Sequence, residues 1–202
     1  MNIATISLPI RHSFVKIIAP KLYQDAFMRY PLPRGMIETM KKRFSNELLR
    51  GVEIGVFRGV HAESILKSLS IETLYLVDPY ESYVDNWNQT SSEALTNAYF
   101  NAIYRLARYR DKVVWVKKSS EQAVNSIPDN LDFVYIDGNH NYEFVKEDIK
   151  LYYPKVKKDG MLGGHNFEIH FMGVVKAVLE FTEKEGLILQ GKAPCDWWVI
   201  KK

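Results

Sequence analysis

Cysteine is almost missing from this chain of 202 residues, because Cys195 is the single one. One thiol can form no intrachain disulfide and cannot build a cysteine-based zinc site. Such usage is typical of a reducing compartment, so we expect a cytoplasmic protein. No apolar run reaches the roughly 20 residues that a membrane helix needs. Arg11 and His12 follow the N-terminal apolar stretch instead of preceding it, which disfavours a secretory signal.

A strong excess of one charge is also missing, because 27 basic and 24 acidic residues leave a net charge of +3. This balance is too weak to indicate a nucleic-acid partner. Hydrophobic residues make up 47% and charged residues 25% of the chain, as in ordinary globular proteins, which excludes a disordered or fibrous chain. We expect one domain over residues 48–202, preceded by an N-terminal arm and helix over 1–47. The arm either packs on the core or covers a pocket.

Short apolar runs alternate with amphipathic segments from residue 51 onward. Such alternation predicts a parallel sheet with helices on both faces. The run 131–136 is continuously apolar, so we expect it to be covered on both faces. The predicted strands are 51–54, 74–77, 113–116, 131–136, 161–163, 187–190 and 197–200. The predicted helices are 36–48, 61–68, 94–109, 121–127, 142–153 and 174–185, with His61 on a solvated face.

The turn after the first predicted strand carries a glycine signal, Glu53-Ile-Gly55-Val-Phe-Arg-Gly59. Gly55 allows a positive φ or a close backbone approach to a ligand, and Gly59 allows a tight entry into the next helix. Ligands of open α/β sheets bind beyond the carboxyl ends of the strands. The same residues are also compatible with a plain strand–turn–helix connection.

Two further signals follow the second and third predicted strands. Asp78 ends the second strand, where a carboxylate can accept hydrogen bonds from ribose hydroxyls, although an Asp before a proline is also common in surface turns. Ser119 and Ser120 follow the third strand, where an adenine ring would meet backbone amides. Either serine could equally be a helix N-cap.

The fourth and fifth predicted strands end in residues that can move protons. Asp137 and His140 leave the fourth strand together, and an imidazole there is a natural general base. His165 and Asn166 follow the fifth strand, so the four side chains converge if these strands are neighbours. They could hold a substrate hydroxyl or, with one carboxylate among them, a poorly liganded divalent metal. Alternatively, Asp137 stabilises a turn and His140 has only a structural role.

The motifs in this order resemble those of class I S-adenosylmethionine-dependent methyltransferases, and more narrowly those of the methyltransferase-24 family. The resemblance covers roughly residues 48–200. The residues that carry it are Glu53-x-Gly55-x-x-x-Gly59, Asp78, Ile136-Asp137-Gly138-x-His140-x-Tyr142 and Gly163-Gly164-His165-Asn166.

This resemblance implies a Rossmann-like α/β fold, with a seven-stranded sheet in the order 3-2-1-4-5-7-6 and strand 7 antiparallel. It also implies S-adenosylmethionine as cofactor. Related oxygen methyltransferases bind a metal at the position of Asp137, but Asn166 stands where the family usually has Asp, which disfavours magnesium dependence here. The implied cofactor contacts are Glu53, Gly55 and Gly59 for the methionine portion, Asp78 for the ribose, Ser119 and Ser120 for the adenine, and Asp137 nearby.

The activity we expect is methyl transfer to a hydroxyl of a small molecule or sugar. His140 is the expected base, Asp137 orients it or the substrate, and His165 is the second candidate base. A nicotinamide-dependent dehydrogenase would need G-x-G-x-x-G in the first turn, which this chain lacks. A non-catalytic binding or scaffold protein on the same fold stays open. The chain also lacks the Asn-Pro-Pro-aromatic motif of base-methylating enzymes, and its oligomeric state, including a homo-oligomer, stays open.

Overall fold

The fold is given by a computed structural model, which describes residues 34–82, 91–192 and 195–202. Most of the arm expected over residues 1–35 lies outside these ranges. Residues 83–90 also lie outside them.

The described residues form six α-helices and seven strands, besides short 3-10 turns. The helices are α1 (Gly35–Phe44), α2 (Val60–Ser68), α3 (Ser92–Leu106), α4 (Ser120–Ala123), α5 (Tyr142–Tyr152) and α6 (Met172–Lys184). The strands are β1 (Leu49–Ile54), β2 (Ile71–Val77), β3 (Val113–Val116), β4 (Leu131–Ile136), β5 (Val156–Gly164), β6 (Gln190–Lys192) and β7 (Asp196–Ile200).

The seven strands form one sheet in the order β3-β2-β1-β4-β5-β7-β6, which confirms the expected topology. The first five strands are mutually parallel, and β7 runs antiparallel to both β5 and β6. Helical crossovers return the chain to the same end of the sheet, so parallel strands present their carboxyl ends together. This arrangement places every predicted site motif at one edge of the sheet.

Two apolar layers lie on opposite faces of the sheet. Helices α1, α2 and α3 pack on one face, and α4, α5 and α6 pack on the other. Strand β4 is buried along its whole length, as its apolar run predicts. The adjacent Trp197 and Trp198 of β7 belong to different layers and are both buried, because successive strand residues point to opposite faces.

Several boundaries differ from the sequence prediction. Strand β5 begins at Val156 instead of 161, because Val156 pairs with Leu131 outside the apolar run. The predicted strand 187–190 is replaced by Gln190–Lys192, which pairs with residues 196–198 of β7. The prediction of a solvated His61 was wrong: this side chain is 4% exposed and packs towards the sheet. None of the described helices is long and apolar enough to cross a membrane.

Candidate active site

The register of the sheet brings three site strands into line. Glu53 of β1 lies opposite Tyr135 of β4, and Tyr135 lies opposite Gly163 of β5. One residue further on, Ile136 lies opposite Gly164. The turns that begin at Gly55, Asp137 and His165 therefore leave the sheet side by side.

The first turn depends on its two glycines. Gly55 has φ +85°, and a Cβ there would lie 2.1 Å from the backbone oxygen of Asp137. The positive φ expected at Gly55 is therefore present, and its close neighbour in the structure is the chain after β4. Gly59 caps α2 with φ +69°, a left-handed conformation that favours glycine.

Asp78 binds the backbone of this first turn. Its Oδ2 accepts hydrogen bonds of 2.9 Å from the amides of Val56 and Phe57, and its Oδ1 accepts one of 2.8 Å from the amide of Tyr80. Burial raises the pKa of Asp78 despite these three donors, which act to lower it. A carboxylate offers about four acceptor positions, so it retains room for one further donor.

Glu53 and His61 form a buried pair beneath the turn. Oε1 of Glu53 lies 3.2 Å from Nδ1 of His61, and the two residues are 1% and 4% exposed. Burial raises the pKa of Glu53 and lowers that of His61, so burial favours the neutral form of each side chain. Oε2 of Glu53 is buried and has no hydrogen-bond partner among the described residues. An unsatisfied acceptor at the end of β1 is suited to a donor group of a ligand.

Arg34, just before α1, reaches the centre of the site. Its Nη1 donates hydrogen bonds of 2.8 Å both to Oδ2 of Asp137 and to the hydroxyl of Tyr135. Burial opposes ionisation of Asp137, but the guanidinium and the neighbouring His140 hold the pKa of Asp137 well below its usual range. The sequence analysis missed Arg34, which lies 103 positions from Asp137 in a proline-rich stretch without periodicity.

Asp196 fixes the start of α1, the helix that directly follows Arg34. Its Oδ2 accepts a 3.1 Å hydrogen bond from the amide of Met36, and its Oδ1 accepts one of 2.9 Å from the hydroxyl of Tyr135. An acceptor at a helix N-terminus satisfies an amide that has no partner within the helix. The position of Arg34 is thus set by Asp196 on β7 and Tyr135 on β4. Neither residue was predicted from the sequence to belong to the site.

Two imidazoles lie near the other oxygen of Asp137. Nε2 of His140 is 3.7 Å and Nδ1 of His165 is 3.9 Å from Oδ1 of Asp137. Nδ1 of His165 also lies 2.6 Å from Oδ1 of Asn166. The structure therefore brings together the four side chains that follow β4 and β5, as the sequence analysis expected from neighbouring strands. The distances to Asp137 are longer than hydrogen bonds.

A small cavity lies among these groups at the ends of β4 and β5. Asp137, His140, His165 and Trp197 contribute to its lining, together with apolar side chains of α5 and α6. The indole Nε1 of Trp197 is buried and has no hydrogen-bond partner among the described residues. The cavity thus combines a carboxylate, two imidazoles and an unused indole donor.

Ser119 and Ser120 lie on the neighbouring turn after β3. The hydroxyl of Ser119 caps α4 by accepting from the amide of Gln122 at 3.3 Å, which was one of the two readings of this position. Tyr152 donates a 2.8 Å hydrogen bond to the carbonyl of Ser120, and Asp148 is hydrogen-bonded to the Ser120 side chain. Helix α5 therefore holds this turn in place.

The residues at this edge fit a nucleoside cofactor with a positively charged amino acid portion, because Glu53 offers an unsatisfied buried acceptor and Asp78 offers one more acceptor position. They do not fit a divalent metal. Arg34 is bound to Asp137, and Asn166 to His165. Over residues 34–82, 91–192 and 195–202, no group of three or more His, Cys, Asp and Glu side chains is arranged to hold a metal ion.

Comparison with known proteins identifies a family and one related sequence. The profile of a family described as "Methyltransferase domain" matches residues 52–167, which is more than half of the chain. An uncharacterised protein of Acanthamoeba polyphaga mimivirus is 26% identical over 128 residues, which are 63% of this chain and 55% of the viral protein. The chain therefore matches little more than half the length of that relative.

Solved structures share the fold at low sequence identity. The O-methyltransferase NovP superimposes with a TM-score of 0.59 and 17% identity, covering 83% of this chain and 79% of its own. An rRNA methylase from Streptococcus thermophilus has a TM-score of 0.58 and 13% identity, covering 86% of this chain and 99% of its own. At such identities the likeness extends to the fold alone.

Proposed function

The chain belongs to the methyltransferase-domain family whose profile matches residues 52–167, and on that basis we propose that it transfers a methyl group from S-adenosylmethionine to a hydroxyl of a small molecule or sugar. The single observation that carries the oxygen acceptor is the placement of His140 and His165 around Asp137 beside a cavity. A hydroxyl must lose its proton as it is methylated, and an imidazole is the side chain most often used to take it.

The cofactor would lie across the ends of β1, β2 and β3. Its ammonium group would meet Oε2 of Glu53, which is buried and lacks a donor. A ribose hydroxyl would donate to Asp78, and the adenine would lie against the turn at Ser119 and Ser120. Gly55 and Gly59 let this first turn adopt positive φ angles in close contact with the chain after β4 and with α3. When bound, S-adenosylmethionine supplies a methyl group activated by its positively charged sulfur.

The acceptor would bind over the ends of β4 and β5, with its hydroxyl directed towards the small cavity there. S-adenosylmethionine, when bound, would supply the methyl carbon for a new carbon–oxygen bond, and the electrons of its carbon–sulfur bond would stay on sulfur. His140 takes the hydroxyl proton, and Asp137 orients the resulting imidazolium through Oδ1. His165, at a similar distance from Asp137, is the second candidate base. Most of the acceleration would come from alignment of the reacting atoms.

A non-catalytic protein on the same fold is the alternative. The polar network argues against it, because a purely structural core has no need of an unpaired acceptor at Glu53 and an unused donor at Trp197 beside a cavity. An oxygen acceptor is also preferred to a base of RNA, since the basic and acidic residues nearly balance.

Calorimetry with S-adenosylhomocysteine, the demethylated product, tests the proposal. We expect one molecule to bind per chain, and Glu53→Gln to weaken binding while Glu147→Gln, on the exposed face of α5, leaves it unchanged. A second test incubates the protein with radiolabelled S-adenosylmethionine and pools of hydroxylated small molecules or sugars. Absence of product binding by the wild-type chain would overturn the assignment.

A further inference from the structure

A buried cation, Arg34, lies beside Asp137, the residue at which the family resemblance implies a metal. Nη1 of Arg34 lies 2.8 Å from Oδ2 of Asp137, and the two side chains are 11% and 18% exposed. We propose that Arg34 replaces the divalent metal in this chain, holding Asp137 in position and compensating its charge, so that methyl transfer needs no metal. This proposal rests on the proposed function for its catalytic part.

The fold builds this arginine into the site. Asp196 binds the amide of Met36 at the start of α1 and the hydroxyl of Tyr135, and that hydroxyl in turn accepts a hydrogen bond from Arg34. Arg34 is therefore held by its own helix and by β4 and β7. A guanidinium held in this way is a fixed charge, since arginine stays protonated in proteins.

The remaining groups around Asp137 agree with this assignment. The Arg34 guanidinium repels a second cation at Oδ2, while Oδ1 faces His140 and His165. The family's usual aspartate is replaced by Asn166, whose amide oxygen lies against His165. A magnesium or manganese ion prefers several oxygen ligands, so a single carboxylate that is paired with arginine is a poor ligand set. The missing carboxylate at position 166 and the fixed positive charge of Arg34 thus both disfavour a metal ion at Asp137.

Arg34 is a positioning residue in this scheme, because it acts through Asp137 and not on the methyl group. With Oδ2 bound to Arg34, the carboxylate has one orientation, and Oδ1 is directed towards the two imidazoles. Removal of Arg34 leaves the buried carboxylate of Asp137 without its charged partner, which is destabilising.

Binding of Mn²⁺, followed by electron paramagnetic resonance on the full chain, tests the proposal without an activity assay. We expect the wild-type chain to bind no Mn²⁺ specifically. The double variant Arg34→Met with Asn166→Asp removes the cation and restores the carboxylate, so its affinity should exceed that of the wild type by at least about tenfold. Addition of Asp137→Asn to this double variant should abolish the gain.

Matched variants show whether Mn²⁺ is excluded by the positive charge at position 34 or by a structural effect of the substitution. Arg34→Lys combined with Asn166→Asp keeps the positive charge, so it should exclude Mn²⁺ nearly as well as the wild type. Arg43→Met with Asn166→Asp, altered on the same helix α1 but away from Asp137, should also gain little. Circular dichroism is recorded for each variant, and the lysine variant retains a partner for Asp137 if the methionine variant does not fold.

Two results would overturn the proposal. One is a single Mn²⁺ bound per wild-type chain and lost in Asp137→Asn. The other is a folded Arg34→Met, Asn166→Asp variant that binds Mn²⁺ no better than the wild type. Calorimetry with S-adenosylhomocysteine on the same samples keeps this question apart from the proposed function: product binding together with wild-type Mn²⁺ binding removes only the role of Arg34, whereas absent product binding removes the methyltransferase assignment.

Discussion

The carboxylate of Asp78 holds the backbone of Phe57, whose amide donates a 2.9 Å hydrogen bond to its Oδ2. Phe57 has φ +47°, a left-handed conformation that is rare for a bulky residue. Asp78 therefore stabilises an unfavourable turn conformation at the end of β1 as well as offering an acceptor for a ligand. The end of β2 and the turn after β1 act as one unit.

This double role of Asp78 gives the first prediction. Asp78→Ala leaves the amides of Val56, Phe57 and Tyr80 without their acceptor, so the free energy of unfolding should fall by about 1–3 kcal/mol. Product binding should weaken by about tenfold or more, since one lost charge-assisted hydrogen bond alone is worth about 1.5–3 kcal/mol. Urea unfolding and calorimetry measure the two effects.

A deoxyribose analogue separates the two roles of Asp78. In the wild-type chain, 2′-deoxy-S-adenosylhomocysteine should bind more weakly than the parent compound. In Asp78→Asn, this difference between the two ligands should shrink. An undiminished difference in Asp78→Asn would show that the ribose is bound elsewhere.

Replacement of His140 tests the proposed base. His140→Ala should lower turnover of a methyl acceptor by roughly 10²–10⁴-fold, because the general base is lost, while binding of S-adenosylhomocysteine stays unchanged. His170→Ala is the matched control, since His170 is exposed and lies before α6. Equal turnover by wild type and His140→Ala would exclude this assignment, and a loss in His165→Gln instead would identify His165 as the base.

The raised pKa of Glu53 predicts that cofactor binding releases a proton. Burial holds the pKa of Glu53 well above its usual range, which favours a protonated carboxyl before binding. An ammonium group placed against Oε2 favours the carboxylate, and binding should release up to about one proton at neutral pH. Calorimetry in two buffers with different ionisation enthalpies measures this release.

Glu53→Gln removes the titrating group with little change of shape. The proton release should disappear in this variant and persist in Glu147→Gln. Equal proton release by Glu53→Gln and the wild-type chain would place the ammonium elsewhere.

Asp148 predicts a pH dependence of stability. Burial raises its pKa to about 7, against the opposing hydrogen bond from Ser120. Below about pH 4, both folded and unfolded states keep the proton. Between about pH 4 and 7, only the folded state keeps it, so this group makes stability fall as pH rises, at up to about 1.4 kcal/mol per pH unit. Above about pH 7, its contribution becomes constant.

Asp148→Asn should remove that slope. We expect the contribution of this site to the change in unfolding free energy from pH 5 to 7, about 2 kcal/mol, to disappear from urea unfolding curves. Asp111→Asn, on an exposed surface turn, should keep the wild-type slope. A slope that is the same in Asp148→Asn would contradict a protonated Asp148.

Local patterns were enough to predict most of the architecture. Apolar runs such as 131–136 and the amphipathic segments between them indicated the order of strands and helices, and the resemblance added the order within the sheet. Convergence of the residues after β4 and β5 also followed, since parallel strands end at the same edge. These features depend on periodicity and connectivity, which a sequence displays directly.

The electrostatics of the site were decided by the tertiary structure. Nothing near Arg34 in the chain indicates that it binds Asp137, 103 positions away, and Tyr135 lies 61 positions from Asp196. His61 has the sequence context of an exposed helical position, yet its ring lies 3.9 Å from that of Tyr135 and beside Glu53. The sequence by itself determined which residues stand at the ends of the strands, because alternation and glycine turns are local properties. Only the packing of α1 and α2 on the sheet determined which charges are paired, because burial and contact between distant residues arise when the chain is folded.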